Sequence, residues 1–374
     1  MSEQTVLQRL SNWLHMTLYT EIIDYPMEGN SPRAEYLLQL LIDFTDFLQE
    51  SIPVCELFLT KYLYTWNGSD YRPYILQLIT RFRIWPFEKM NDLLLEPLRK
   101  LFFCSSVYFK CQVLYSFTTL LRNFVSIEWP RYKGRPDGDG GNIAGSALDI
   151  NETFAFGEPL GEFSAMNTIT EFIGFVDSLC ALGLLVEGSN SLLLHHSLAF
   201  YELVSKIHTV YNFPYVCLPS EGIALRAMYS SDAMVLSRIC QLLCNYKKEI
   251  DHLKTLQDDE HATASMAIIP QMNSYILHLC NLLWRGKAFH ADSLLSVTAK
   301  DVPQLDLSDY NSIFSIWEHP ALQWCASLYD IESGGAPQDK NTAKEYLNYL
   351  QSLQLGGIDT FLTTYIQRYA KKSP

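Results

Sequence analysis

The chain has 374 residues, of which 48% are hydrophobic and 13% aromatic. That supplies a core for one large or two medium domains and excludes a chain dominated by disorder. Its net charge of −13 argues against a general nucleic-acid binder, which needs a basic field to displace counterions from phosphates, though a local basic patch is compatible with that total.

Taken in chain order, apolar residues recur every three or four positions almost throughout. The pattern predicts helices over roughly 4–24, 33–50, 54–65, 72–83, 87–103, 106–127, 164–185, 190–211, 222–229, 232–255, 271–285, 320–329, 341–354 and 358–371. Suitable breakers stand between them, among them Pro26, Ser31-Pro32, Pro53, Asn67-Gly68, Pro86, Gly188, Pro214, Pro219, Gly334-Gly335 and Gly356-Gly357. In the sixth helix Val107, Cys111, Leu114, Phe117, Leu121 and Phe124 share one face. The polar stripe of Gln112, Ser116, Thr119 and Asn123 is narrow, so the helix should be packed on more than one side. In the helix before it Leu94, Leu98, Leu101 and Phe102 face inward, and Glu96 and Lys100 form an outer pair. No convincing alternating strand occurs; "FPYVCLPS" at 213–220 is too proline-bound for a central strand.

Helices of this length joined by short turns predict an all-α fold, an α-solenoid of HEAT-like antiparallel helix pairs. No strict sequence period is visible, as for degenerate repeats; a compact helical bundle is the competing architecture. The domain reading is a helical-repeat block over 1–127, a flexible Gly/Asp-rich loop over 128–163, and a second helical-repeat block over 164–374, the two blocks forming one continuous solenoid.

The loop holds "GRPDGDGGNIAG", residues 134–145. It lacks the lysine of a phosphate-binding loop and has no strand before it. As a calcium loop it offers Asp137 and Asp139, but Gly141 falls where the third ligand belongs. It reads as a mobile surface loop. Adjacent His195 and His196 point about 100° apart on a helix and cannot share one metal ion in the usual way. His196, on the face of Phe200, Leu203 and Ile207, reads as a core histidine, and His195 as solvent-facing.

The nine cysteines include no C-x-x-C pair and fall mostly within apolar helical faces, as do Cys240 and Cys244. They read as reduced, inert thiols of a cytosolic or nuclear protein. No G-x-S-x-G, H-E-x-x-H or kinase-like set occurs; an all-α enzyme with a Cys–His site is the minor alternative. The sequons at Asn67 and Asn151 are discounted, because the N-terminus carries no h-region behind a basic start. No run of about 18 apolar residues is evident, so no membrane span is expected.

"RFRIWPFEK" (81–89) places Arg81 and Arg83 around aromatics, with Trp85 beside a break. Such a cluster suits a partner-binding hot spot; a basic helix C-terminus favoured by the dipole is the plainer reading. Twenty-two tyrosines and seven tryptophans exceed what a sealed core usually needs and suggest interface anchors.

Several longer segments carry a resemblance. "YLYTWNGSDYRPYILQLI" (62–79), "LEPLRKLFFCSSVYFKCQVLYSFTTLLRNF" (95–124), "SLLLHHSLAFYELVSKIHTVYNFPYVCLPSEGI" (191–223), "HPALQWCASLYD" (319–330) and "YLNYLQSLQLGGIDTFLTTYI" (346–366) are similar, in order, to the centromere protein I family of vertebrate inner kinetochores. The resemblance runs from about residue 50 to the end and falls on the C-terminal half of family members, which are roughly twice as long. The chain is then expected to be a part or a short form of the longer protein. The resemblance implies a non-enzymatic scaffold without cofactor or metal, located in the nucleus at the centromere and kinetochore. It implies complex formation with the coiled-coil centromere proteins H and K and with centromere protein M, a small GTPase-like protein that does not act as an enzyme, beside other inner-kinetochore subunits. It also implies support of kinetochore assembly and centromeric histone loading. The acidity of the chain argues against more than limited DNA contact, and no membrane partner is expected. An unrelated helical-repeat adaptor is the alternative.

Overall fold

The computed structural model describes residues 3–24, 31–133, 142–143, 163–255, 268–285, 315–334 and 340–366. Among them the regular structure is helical, apart from one two-residue antiparallel ladder pairing Asn142 with Ser164 and Ile143 with Phe163. The expected all-α class is therefore the class found. The glycine-rich centre of the 128–163 loop, with Asp137, Asp139 and Gly141, lies outside the described residues. The chain divides into two compact units, residues 1–179 and 180–374.

In the first unit α1 (Glu3–Leu18) widens into a π-helical turn at Tyr19–Asp24. It is followed by α2 (Pro32–Leu48), α3 (Pro53–Tyr62) and α4 (Arg72–Ile79). Each of α2, α3 and α4 carries a proline in its first turn, where the missing N–H is one the helix would leave unpaired anyway. Next come α5 (Phe87–Met90), a π-helical turn at Asn91–Leu95 and α6 (Glu96–Cys104). The widened turn sits just before Pro97, whose ring cannot continue an unbroken i→i−4 ladder.

Helix α7 (Val107–Asn123) is capped by the Ser106 hydroxyl, which accepts from the Phe109 N–H. It runs through a π-helical turn at Phe124–Glu128 into α8 (Trp129–Lys133). Helix α1 packs on α3, α2 on α4, and α4 and α6 on α7. As expected, α7 is buried on more than one side. The narrow wet stripe, however, runs along Tyr108, Tyr115 and Arg122, and Ser116 is buried with its hydroxyl donating to the Gln112 carbonyl. Ser116 is small enough to sit between packed helices, and the two tyrosines and the arginine keep their polar tips in water.

Helix α9 (Ala165–Val186) is long and apolar enough to cross a membrane, which the reading of the sequence did not find, and 44% of its most apolar window is buried. In the first unit it packs as a core helix: Phe172 meets Phe117 and Phe124 edge-on at centroid distances of 5.6 and 5.7 Å.

The second unit comprises α10 (Ser191–Val204), α11 (Ile207–Tyr211), α12 (Glu221–Met228), α13 (Ala233–Thr255), α14 (Ile269–Cys280) with a π-helical turn at Asn281–Arg285, α15 (Gln323–Ser333), α16 (Lys340–Ser352) and α17 (Gly356–Tyr365). The single helix expected over 190–211 breaks at Ser205–Lys206 into α10 and α11. Helix α13 is the spine, packed by α10, α12, α14 and α17.

Five tyrosines, Tyr201, Tyr229, Tyr246, Tyr275 and Tyr346, are fully buried. Tyr246 Oη donates to the Cys217 carbonyl at 2.6 Å and Tyr275 Oη to the Pro219 carbonyl at 2.9 Å, pinning the irregular segment 213–220. Trp317 stacks on Tyr346 at 4.1 Å, and Tyr329 tilts against Tyr346 at 5.3 Å. Much of the aromatic surplus therefore serves the core, and the reading of tyrosine abundance as interface anchors is corrected to that extent. A hydroxyl that reaches a backbone carbonyl makes tyrosine a sound buried residue.

Candidate docking surface

The histidine pair on α10 is absorbed into a local network. His195 Nε2 lies 3.1 Å from Asp232 Oδ2, and the Ser191 hydroxyl donates to the same oxygen at 2.5 Å. The Arg238 guanidinium donates to the His195 carbonyl at 2.9 Å and approaches His195 Nδ1 at 3.0 Å, while its other nitrogens grip Glu202. A donor at Nδ1 makes that nitrogen the acceptor and Nε2–H the donor to Asp232. Burial raises the Asp232 carboxyl, but hydrogen bonds from Ser191 and from the Val235 and Met234 N–H groups outweigh it and hold the group below the usual carboxylate range. The aspartate stands between serine and histidine instead of behind the histidine, so the three cannot pass a proton from hydroxyl to imidazole as a nucleophile–base pair does.

His196 is half-buried. Burial, then the Arg238 and His195 charges, lower its imidazole below the ordinary value. Among the described residues no group of three or more His, Cys, Asp or Glu side chains could hold a metal ion. The cysteines are free thiols, seven of them buried, including Cys240 and Cys244; Cys217 is half-buried and Cys104 exposed. Burial, with Glu56 beside it, pushes the Cys55 thiol up to about 12, and burial alone pushes Cys111 to about 11. A thiol so raised makes negligible thiolate at neutral pH.

The segment 81–89 is used from within. Arg81 Nη2 pairs with Asp46 Oδ1 at 2.7 Å and its Nη1 donates to Gln49 Oε1 at 3.2 Å, tying the turn to the end of α2. Glu56, buried on α3, accepts from the Arg83 backbone N–H at 2.8 Å and from Arg83 Nε and Nη2 at 3.0 and 2.7 Å. Arg131 bridges Glu50 and Glu128 at 2.9 and 3.4 Å. The Glu128 carboxyl, on the neighbouring turn, is raised chiefly by burial.

Trp85 is buried against Phe82, with the Lys89 ammonium 5.3 Å from its ring. Both arginines lie beyond the end of α4 at Ile79 and are held by carboxylates of other helices, so the helix dipole does not account for them. Removing the Glu56 carboxylate takes away the acceptor of the Arg83 backbone N–H and of its Nε and Nη2 groups, and the buried charge that faces the guanidinium. Glu56→Ala is therefore expected to destabilise the first unit by about 2–3 kcal/mol, read as a lower urea midpoint.

What faces outward is apolar at helical spacing. On α1 Val6, Leu10, Trp13 and Met16 are exposed; on α2 Tyr36, Leu40, Phe44, Phe47 and Leu48; on α9 Leu182, Leu185 and Val186; on α15 Trp324 and Ile331 with half-buried Leu328 between them. Steps of three and four put each set on one side of its helix. Stripes of this kind take up apolar faces of other helices.

The buried histidines His208, His278 and His319 have no helical signature that separates them from surface ones. By contrast, the outward stripes are visible in the sequence, though indistinguishable there from inward ones.

Residues 1–133 match the family described as CENP-I: Mis6. Centromere protein I of Gallus gallus is 28% identical over 389 residues, covering 99% of this chain and 49% of that protein. Centromere protein I of Mus musculus is 28% identical over 383 residues, with the same coverage of 99% and 49%. That of Rattus norvegicus is 26% identical over 377 residues, covering 97% of this chain and 48% of its own length. The chain thus spans about half the length of the curated relatives it matches. Similarity also reaches the first helices, before residue 50, where the quoted segments do not. Over 97–99% of its length this chain is similar in sequence to centromere protein I.

Proposed function

We propose that this chain is a non-enzymatic helical scaffold of the inner kinetochore, working in the nucleus at the centromere. In this reading its layers are HEAT-like helix pairs. Its partners are the coiled-coil centromere proteins H and K first and centromere protein M second, with other inner-kinetochore subunits around them. Through them it supports kinetochore assembly and centromeric histone loading. It needs no cofactor, makes at most limited DNA contact and uses no membrane.

The observation that carries the reading is the similarity to centromere protein I over nearly the whole chain. The outward apolar stripes support it, because a helix of a coiled-coil partner can lay its own apolar seam along them. The charge of −13 fits a protein that meets chromatin through partners more than directly. Within this reading the partner-binding segment Arg81, Arg83 and Trp85 works by position: it holds the ends of α2 and α3 whose neighbouring side chains a partner meets. The Trp324–Leu328–Ile331 stripe of α15 is offered as one seat for a coiled-coil partner.

Co-expression with H and K followed by gel filtration tests the proposal. Co-elution at micromolar concentration is expected, and Trp324→Glu with Ile331→Glu should weaken it at least tenfold without loss of helicity. Separate elution of the wild-type chain and both partners counts against it.

A further inference from the structure

Among the described residues of the second unit, the two most exposed large apolar side chains both stand on α15: Trp324 at 74% and Ile331 at 77%. The opposite side of the helix, with Cys325, Ala326 and Tyr329, is buried and packs on α16. Steps of 100° per residue put Trp324, Leu328 and Ile331 within about 60° of one another, with Ser327 beside them. They also put Glu332 along one edge of the stripe and Asp330 along the other. Glu345 of α16 lies near the Glu332 edge. Its Oε2 is 3.4 Å from the Tyr329 hydroxyl, and Tyr349, one turn further on, sits 5.4 Å from the Tyr329 ring. Burial and then the Glu332 charge raise the Tyr349 hydroxyl from its ordinary value, which ties Glu332 to the same flank.

The rim is acidic and uncompensated. Among the described residues Asp330, Glu332 and Glu345 enter no salt bridge. Helix α15 carries no basic residue, and the exposed Lys344 stands about 140° round α16 from Tyr349. Two acids in the last turn of α15 also oppose the helix dipole, whose C-terminal end favours cations. A cation brought to this end relieves that cost.

We propose that this face seats a basic amphipathic helix, one whose apolar seam is flanked by lysine or arginine. That chemistry rests on α15 being a seat for a coiled-coil partner and adds what the coil must carry. Trp324 to Ile331 cover about 10 Å of helix axis, enough to meet two turns of a partner. Lysine stems beside the partner's seam lie along the outer surface while their ammonium groups reach Glu332 and Glu345 on one edge and Asp330 on the other. An acidic helix or a phosphate backbone meets repulsion at both edges. Exposed pairs are individually weak, but three of them together separate a basic from an acidic helix by about tenfold in affinity.

Two labelled peptides of about 20 residues, long enough to form helix, test this with the full chain by fluorescence anisotropy. They share one leucine seam, flanked by lysine in the first and by glutamate in the second. The lysine peptide is expected to bind at least tenfold tighter at low salt. The gap should close near ~0.5 M salt, where screening shortens to about 4 Å. Trp324→Ala with Ile331→Ala should remove binding with circular dichroism unchanged. Glu332→Lys with Glu345→Lys, both at exposed positions, should erase the lysine peptide's lead. That variant is still strongly acidic as a whole, so attraction to net charge alone would keep the lysine peptide ahead. Equal binding of the two peptides by the wild-type chain, binding of neither, or a lysine preference that survives the double reversal overturns the proposal. Failure of the scaffold reading looks different: H and K elute apart from the chain while the peptides still discriminate.

Discussion

Between pH 6.5 and pH 4 the folded chain is expected to lose about 6 kcal/mol of stability through two histidines, His278 and His319. Both are buried, and burial lowers each imidazole from the ordinary 6.5 to about 4. The geometry explains the reluctance to accept a proton. His319 Nε2 donates to the Met228 carbonyl at 2.9 Å, while Nδ1 accepts from the Ala321 N–H at 3.1 Å. A proton on Nδ1 would face another donor. His278 Nε2 shares a contact of 2.9 Å with the Tyr229 hydroxyl, and its Nδ1 finds no hydrogen-bond partner.

A group whose folded value lies below its unfolded one costs nothing above pH 6.5, where both states are neutral. As the pH falls the unfolded chain binds protons that the folded chain refuses, so stability drops until about pH 4. Each pH unit in that window is worth about 1.4 kcal/mol per site, hence about 3 kcal/mol for each histidine. Glu128, raised by burial, works the other way and returns a part. Urea unfolding from pH 7.5 to 4 reads the effect. His319→Asn and His278→Gln should each flatten the slope by about one proton, and a midpoint constant across the window would refute the assignment.

Gly357→Ala is expected to destabilise the second unit by about 3 kcal/mol or more, or to leave it unable to fold. The first turn of α17 lies against α13 so closely that a Cβ at Gly357 would fall 2.0 Å from the Ser237 carbonyl oxygen and 2.9 Å from its carbonyl carbon. The contact cannot relax by moving a flexible side chain, because the obstacle is backbone in the second turn of the spine helix. It is also bonded, since the Gly357 N–H donates to Ser237 Oγ at 3.1 Å. Gly356 beside it meets only Gln351 Cγ at 3.9 Å, so Gly356→Ala should cost less than about 1 kcal/mol and serves as the control. Denaturant midpoints of the two variants measured together decide the matter; equal midpoints would mean that α17 stands away from α13.

The pair Gly356-Gly357 was legible in the sequence as a helix break, and nothing in the sequence distinguishes the two glycines. The same holds elsewhere. Asn67-Gly68 reads as a turn, and it is one: Asn67 Oδ1 accepts from the Ser69 and Asp70 N–H groups, and Gly68 adopts φ +78°. That Gly68 also lies against the Phe109 ring depends on how α7 packs. Arg81 and Arg83 stood out as unusual by composition, but their acceptors, Asp46 and Glu56, lie 35 and 27 residues away along the chain.

By itself the sequence determined the helices, their order, the breakers between them and the resemblance to a kinetochore family, because periodicity, proline, glycine and residue order are local. Only the tertiary structure decided which of two apolar faces of α2 is covered, which histidines lose their water, and which glycine touches a neighbour. Those outcomes depend on what residues far apart in the chain bring within a few ångströms, and short-range spacing carries no information about that.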